Sequence, residues 1–165
     1  SRVEAVGEPE SRTINTDWHP DYRVPVSITE TGRVRTFSYT GGQLTGYTVT
    51  DTTGLSNDSR TWQWSYTDGS GGVPAGLVAS RDGPRTDVSD VTSYAYYTTN
   101  APDGSHRQGD LHTLTNALGQ TTTVEAYDLH GRPTRVVDPN GAVSEYLYDP
   151  RGRLLTHREA VGSTD

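Results

Sequence analysis

Two stretches of the sequence place a carboxylate and a guanidinium at fixed spacing. They are Tyr127-Asp128-Leu129-His130-Gly131-Arg132 and Tyr148-Asp149-Pro150-Arg151-Gly152-Arg153, with the two copies 21 residues apart. Two carboxylates within reach of one substrate can divide acid and base work. Two arginines can hold an anion. Such a division needs environments that push the two pKa values apart, whereas repetition in register gives both aspartates the same surroundings. Asp128 and Asp149 are therefore read as turn caps, accepting backbone N–H groups ahead of Gly131 and Gly152. Arg132 and Arg153 are expected to pair with acidic residues on neighbouring strands.

The remaining chemistry-bearing residues do not assemble into a site. His19, His106, His112, His130 and His157 show no i, i+2 or i, i+4 spacing, and no metal site is expected. No Gly-x-Ser-x-Gly sequence presents a serine nucleophile. The absence of cysteine removes thiolate ligands, thiol nucleophiles and disulfides together. No cofactor and no catalytic residue is assigned, and the chain is read as a non-enzyme. Trp62 and Trp64, with Tyr66 beside them, form an aromatic strip that either packs between repeats or stacks on sugar rings. The polar stretch Thr98–Leu111 is either a tolerated insertion or a binding loop.

Composition narrows the partners. The formal charge is −7, lysine is absent and the arginines are dispersed, which argues against a phosphate-binding surface and hence against nucleic acid. No apolar run approaches the ~20 residues of a membrane span. Ser1 opens a polar stretch without a signal-peptide pattern. The missing initiator Met suggests a processed product or an excised piece of something longer, and the uncapped terminal strands suggest a slice of a larger sheet.

Only 30% of residues are apolar, against ~45–50% in an ordinary domain when Gly is counted. Disorder would follow if those residues were scattered, but they recur. Phe37/Tyr39, Trp62/Trp64/Tyr66, Tyr94/Tyr96 and Tyr146/Tyr148 alternate as strand residues do. The last tyrosine of each group and Tyr127 act as repeat anchors, at steps of 27, 30, 31 and 21 residues. Turns close the other end of each unit: "TETG" (Thr29–Gly32), "DTTG" (Asp51–Gly54), "RDGP" (Arg81–Pro84), "NALG" (Asn116–Gly119), "DPNG" with Asp138, Pro139 and Gly141, and "EAVG" (Glu159–Gly162). The prediction is all-β: an antiparallel sheet of stacked hairpins, about eleven strands and essentially no helix. Residues 1–15 read as a polar lead-in. Residues 16–165 read as degenerate to regular repeats, the best copies spanning 127–162. Phe37, Tyr39, Trp62, Trp64, Tyr66, Tyr94, Tyr96, Tyr127, Tyr146 and Tyr148 are the expected inter-repeat packing residues. Pro25 is expected at an edge or at a break in pairing.

"YDLHGRP" and "DPNGAVSEYLYDPRGRLL" resemble the YD repeat of the Rhs (rearrangement hotspot) family, found also in the C components of bacterial Tc toxins and in teneurins. The stretches "RTINTDWHPDYRVPVSITETGRVRTFSYT" and "DGPRTDVSDVTSYAYY" are similar to the middle of a bacterial Rhs core. The units before Tyr127 depart from the pattern, lacking Asp after Tyr39, Tyr66 and Tyr96. The resemblance implies a segment of a larger spiralling β-shell that encloses a cleaved C-terminal toxin. Its partners would be the remainder of its own polypeptide and the enclosed toxin segment. Its setting would be bacterial and exported, secreted or at the cell surface. Neither the self-cleavage segment that ends such cores nor a toxin is found here. The alternative is a surface carbohydrate-binding or adhesion module.

Overall fold

A computed structural model describes residues 2–4, 12–55 and 58–159. They form thirteen β-strands and one short 3-10 turn at Ser70–Gly72, two strands more than the periodicity alone suggested. The strands are β1 (Arg2–Glu4), β2 (Arg12–Trp18), β3 (Pro25–Glu30), β4 (Arg33–Thr40), β5 (Gln43–Asp51), β6 (Ser59–Tyr66), β7 (Val78–Asp82), β8 (Thr92–Tyr96), β9 (Leu111–Thr115), β10 (Thr121–Tyr127), β11 (Pro133–Val137), β12 (Val143–Tyr148) and β13 (Leu154–Glu159). Strand structure thus begins within residues 1–15. The turn expected at Glu159–Gly162 runs outside the described residues.

The chain divides into two units, 1–65 with 81–90 and 66–80 with 91–165. In the first, β1 to β6 pair antiparallel, each with its sequence neighbour. In the second, β8 to β13 do the same. Both are meanders of hairpins, as the alternating pattern with a turn every few residues dictates. In the first unit, β4 and β5 join through Gly41-Gly42, with Thr40 opposite Gln43. Their φ values of 58° and 83° give the two left-handed positions that a two-residue hairpin of the strands' own twist requires.

Five of the repeats carry the same irregularity. The ladder shifts register immediately before Trp18, Tyr39, Tyr96, Tyr127 and Tyr148. Beyond the shift, the aromatic residue faces Pro25, Leu44, Leu111, Pro133 or Leu154 on the next strand. A bulge turns the strand and re-aims its side chain, so the anchor leaves the strict alternation. Pro25 opens β3 at such a shift, where its missing N–H breaks no ladder bond.

Neither unit has a packed central core among the described residues. Among the described residues only Val124 and Val143 are buried apolar side chains, and none is less than 2% exposed. The two faces differ in chemistry. In the first unit Phe37, Tyr47 and Trp62 stand opposite one another across three strands, with centroids 5.1 and 5.4 Å apart. The reverse face carries Thr36, Thr48 and Thr61 in the same way, and the Thr48 and Thr61 hydroxyls meet at 2.9 Å. In the second unit the Thr115 and Thr121 hydroxyls meet at the same distance. Cross-strand pairs of these kinds each contribute ~0.2–1 kcal/mol. A sheet held by many of them folds with few apolar residues.

Candidate functional site

The two Tyr-Asp-x-x-Gly-Arg motifs build the same five-residue turn. One Asp128 oxygen accepts the N–H of His130 at 2.9 Å and of Arg132 at 3.0 Å; the other accepts Arg132 Nε at 2.6 Å. Asp149 accepts the N–H of Arg151 at 2.9 Å and of Arg153 at 2.8 Å, and Arg153 Nε at 2.7 Å. In each turn the Asp N–H donates to the Arg carbonyl, and the Gly N–H donates to the Asp carbonyl. The turns at Asn116–Gln120 and Asp138–Ala142 repeat this main-chain pattern without the arginine. Asn116 Oδ1 accepts from Leu118 and Gln120, Asp138 Oδ1 accepts from Asn140 and Ala142, and Pro139 and Gly141 fall inside the second turn. One turn geometry therefore serves both ends of the hairpins.

The electrostatics follow from these bonds. The Arg153 N–H, then its guanidinium, holds the Asp149 carboxyl below the usual range. At Asp128, burial pushes the pKa up. The N–H groups of Arg132 and His130 and the Arg132 guanidinium outweigh it, and the net shift is downward. Both carboxylates are ionised and spoken for. A general acid would need the opposite shift in one of them.

The expectation that Arg132 and Arg153 pair across strands is corrected. Each binds the aspartate four residues before it, because the turn brings that carboxylate nearer than any facing strand does. Cross-strand ion pairs are made instead by Arg135, which meets Glu125 at 2.6 Å and Glu145 at 2.9 Å, and by Arg35, which meets Glu30 at 2.8 Å. Arg132 has a further contact. Its guanidinium carbon lies 4.8 Å from the centroid of the Tyr148 ring, and its Nη1 donates to the Asp149 carbonyl at 3.3 Å. The first motif thereby grips the second.

The anchor tyrosines use their hydroxyls. Tyr39 donates to the Pro25 carbonyl at 3.0 Å, Tyr96 to that of Val78 at 2.6 Å and Tyr127 to that of Leu111 at 2.6 Å. Each acceptor is the first residue of the preceding strand. The phenol closes the open end of the hairpin it belongs to and satisfies a carbonyl there. Burial raises the Tyr96 pKa and pushes that of Tyr127 up to about 12. Tyr94 is half-buried within β8, and Tyr146 stacks on His157 with centroids 4.7 Å apart. Tyr66 ends β6.

The stretch Thr98–Leu111 is a bonded excursion of the β8–β9 hairpin. The Tyr97 N–H donates to the Asp110 carbonyl, the Gly109 N–H donates to the Tyr97 carbonyl, and the Ser105 carbonyl accepts the Tyr127 N–H at 2.7 Å. Tyr97 lies between His106 and His112, with centroids 3.6 and 4.3 Å away, and donates to the Val124 carbonyl. The excursion fastens onto β10 where the bulge interrupts its ladder. His106 and His112 are thus brought to one ring, and no group of His, Asp or Glu able to hold a metal occurs among the described residues. Trp62 and Trp64 are half-buried, Trp62 against Tyr47. The exposed aromatics are Trp18 and Tyr22.

Sequence reasoning missed Trp18 as the anchor of the first hairpin. The signal was available: Trp18 precedes Tyr39 by 21 residues, the same step that separates Tyr127 from Tyr148. It also missed the phenol bonds and the Tyr97 clasp, which depend on bulges that no residue type announces.

These features define a class: an antiparallel meander of bulged hairpins with aromatic anchors, its turns at Asn116, Asp128, Asp138 and Asp149 closed by the Asx side chain. Residues 106–141 and 127–164 match the RHS repeat in two overlapping copies, which supports an Rhs/YD-repeat assignment for this part of the chain. The RHS repeat is a structural repeat, not a catalytic one. No curated protein matches the sequence.

Proposed function

We propose that this chain is a non-catalytic wall segment of an Rhs/YD-repeat shell that encloses a C-terminal toxin polypeptide until delivery. The observation that carries the reading is the fate of the repeated polar residues. Asp128, Asp149, Arg132 and Arg153 bond the main chain and each other within their turns, and Arg132 also reaches the next motif. Residues so used build the turns. The shell's partners are the rest of its own polypeptide and the enclosed segment, in a bacterial protein that is exported or held at the cell surface.

Limited proteolysis of the complete polypeptide tests this reading. The C-terminal segment should survive while the wall is intact. It should become susceptible in a variant carrying Asp128→Ala and Asp149→Ala, which opens two hairpins. Equal cleavage rates in the two proteins would sink the enclosure reading.

A further inference from the structure

Four turns share one main-chain design and differ in the residue before their glycine. Asn116–Gln120, Asp128–Arg132, Asp138–Ala142 and Asp149–Arg153 make the same two backbone bonds, and their fourth residue is a glycine with φ of 76°, 76°, 85° and 87°. The residue before that glycine is Leu118, His130, Asn140 and Arg151 in turn. Only the third turn therefore sets a carboxamide beside a glycine nitrogen, and Asn140-Gly141 is the one Asn-Gly step in the sequence. Glycine lacks the Cβ that would obstruct the approach of a side chain to its nitrogen. Asn140 and Gly141 are exposed, and a Cβ at Gly141 would meet nothing within 4 Å, so water reaches the junction. Asn140 Nδ2 donates to Asp138 Oδ2 at 3.4 Å. Three shorter bonds hold the turn closed on Asp138. The Gly141 N–H donates to its carbonyl at 3.0 Å, and the Asn140 and Ala142 N–H groups donate to its Oδ1 at 2.9 and 2.7 Å.

We propose that Asn140 is a self-modification site, at which the Gly141 nitrogen closes on the Asn140 carboxamide and the product loosens the β11–β12 hairpin. In the first step the Gly141 nitrogen bonds to Asn140 Cγ and the Cγ–Nδ2 bond breaks. Ammonia departs with the proton that the Gly141 nitrogen gives up, leaving a succinimide. Water then opens the ring at one of its two carbonyl carbons. Addition at Cγ leaves an ordinary aspartate. Addition at the former main-chain carbonyl leaves an isoaspartate, whose chain runs through the side chain and is one methylene longer. No group is oxidised or reduced, and water is the only co-reactant. The Gly141 nitrogen carries no hydrogen in the succinimide, so its bond to the Asp138 carbonyl is lost on the way there. The turn built on Asp138 is thus a brake on the reaction. Either product sets a new carboxylate near that of Asp138, and the isoaspartate also displaces the Gly141 and Ala142 donors. The hairpin so weakened holds Val143, one of the two buried apolar side chains among the described residues, opposite Val137. The inference rests on the turn alone and holds whether or not the wall encloses a cargo.

The test incubates the whole chain at mildly alkaline pH and digests it for mass spectrometry. The peptide containing Asn140 should gain one mass unit and resolve into aspartyl and isoaspartyl forms, matched to synthetic standards, while those containing Asn100 and Asn116 keep their mass. This result needs only the wild-type chain, so a folding defect cannot imitate it. Asp138→Ala should speed the conversion roughly two- to tenfold, the weight of one lost hydrogen bond. Asp138→Asn, which keeps an acceptor for both N–H groups, should convert at nearly the wild-type rate. Aged protein should exchange the amides of β11 and β12 faster than fresh protein and faster than Asn140→Asp, which gains the charge without the methylene. Asn140→Gln, aged alongside, should keep the exchange of fresh protein. Asn140 left intact after a free peptide of the sequence 137–142 has fully converted would overturn the site. A rate unchanged by Asp138→Ala would overturn the brake, and equal exchange in fresh and aged protein would overturn the effect on the hairpin.

Discussion

Gly131 and Gly152 occupy the same turn position, with φ of 76° and 87°, and differ in what surrounds them. A Cβ at Gly131 meets nothing within 4 Å, whereas at Gly152 it lies 2.9 Å from Arg132 Nη1. The left-handed backbone charges any L-residue ~1–2 kcal/mol at either site. Only at Gly152 must Arg132 also leave Tyr148. Gly131→Ala should therefore lower Tm by several degrees, and Gly152→Ala by more. Thermal unfolding of both variants checks the order, and equal losses would remove the Arg132 contact from the account. Tyr127 offers a second residue-scale test. Tyr127→Phe deletes the bond to the Leu111 carbonyl and should cost ~0.5–1.5 kcal/mol in denaturant unfolding. The phenol also ties stability to pH. Its folded pKa, about 12, stands above the ordinary value near 10. Its contribution is complete below the unfolded pKa and is lost as pH rises through about 12. Wild type should lose stability between those values more steeply than Tyr127→Phe.

At the scale of the element, the Asx turn explains both what could be read and what could not. Asp, Pro, Asn and Gly announce turns because their preferences are local, so Asp138–Gly141 and the two motifs were legible as turns. Aromatic alternation announced strands for the same reason. The arginine partners were misjudged because a five-residue turn folds back on itself, a fact of geometry that a strand-to-strand picture omits. The bulges before Trp18, Tyr39, Tyr96, Tyr127 and Tyr148 were invisible because the residues at the shifts, Asp17, Ser38, Ala95, Ala126 and Leu147, share no residue type. The turns also predict acid sensitivity. Asp149 and Asp128 titrate below their unfolded values, so their stabilisation is present above the ordinary carboxylate pKa and is lost as pH falls through the lowered one. Asp149→Asn keeps an acceptor for the two N–H groups and loses the ion pair; Asp149→Ala loses both. Asn should be the milder variant, and both should flatten the acid limb of a stability-versus-pH curve. An unchanged acid limb in Asp149→Ala would show that the turn carboxylate does not control it.

At the scale of the molecule, meanders whose described residues share no packed central core must respond to damage locally. Each strand is stabilised by its sequence neighbours, through ladder bonds, cross-strand pairs and the reach of one tyrosine into the preceding strand. Repeat proteins of this kind behave as a chain of nearest-neighbour couplings. A globular domain transmits a core defect everywhere instead, because its side chains share one packed interior. Here the only buried apolar side chains among the described residues, Val124 and Val143, sit on β10 and β12. Protection against hydrogen exchange should therefore be greatest in β10 to β12 and should fall toward β13. Tyr127→Phe should raise exchange in β9, β10 and β11, where its bond and its clasp partner Ser105 act, and leave β3 to β5 at wild-type rates. Exchange followed by mass spectrometry resolves these segments. A uniform rise across all strands would mean that the chain unfolds as one cooperative body, and the nearest-neighbour picture would fail. A local rise would explain how a repeat tolerates degenerate copies: the cost of a missing Asp after Tyr39 or Tyr96 stays within its own hairpin.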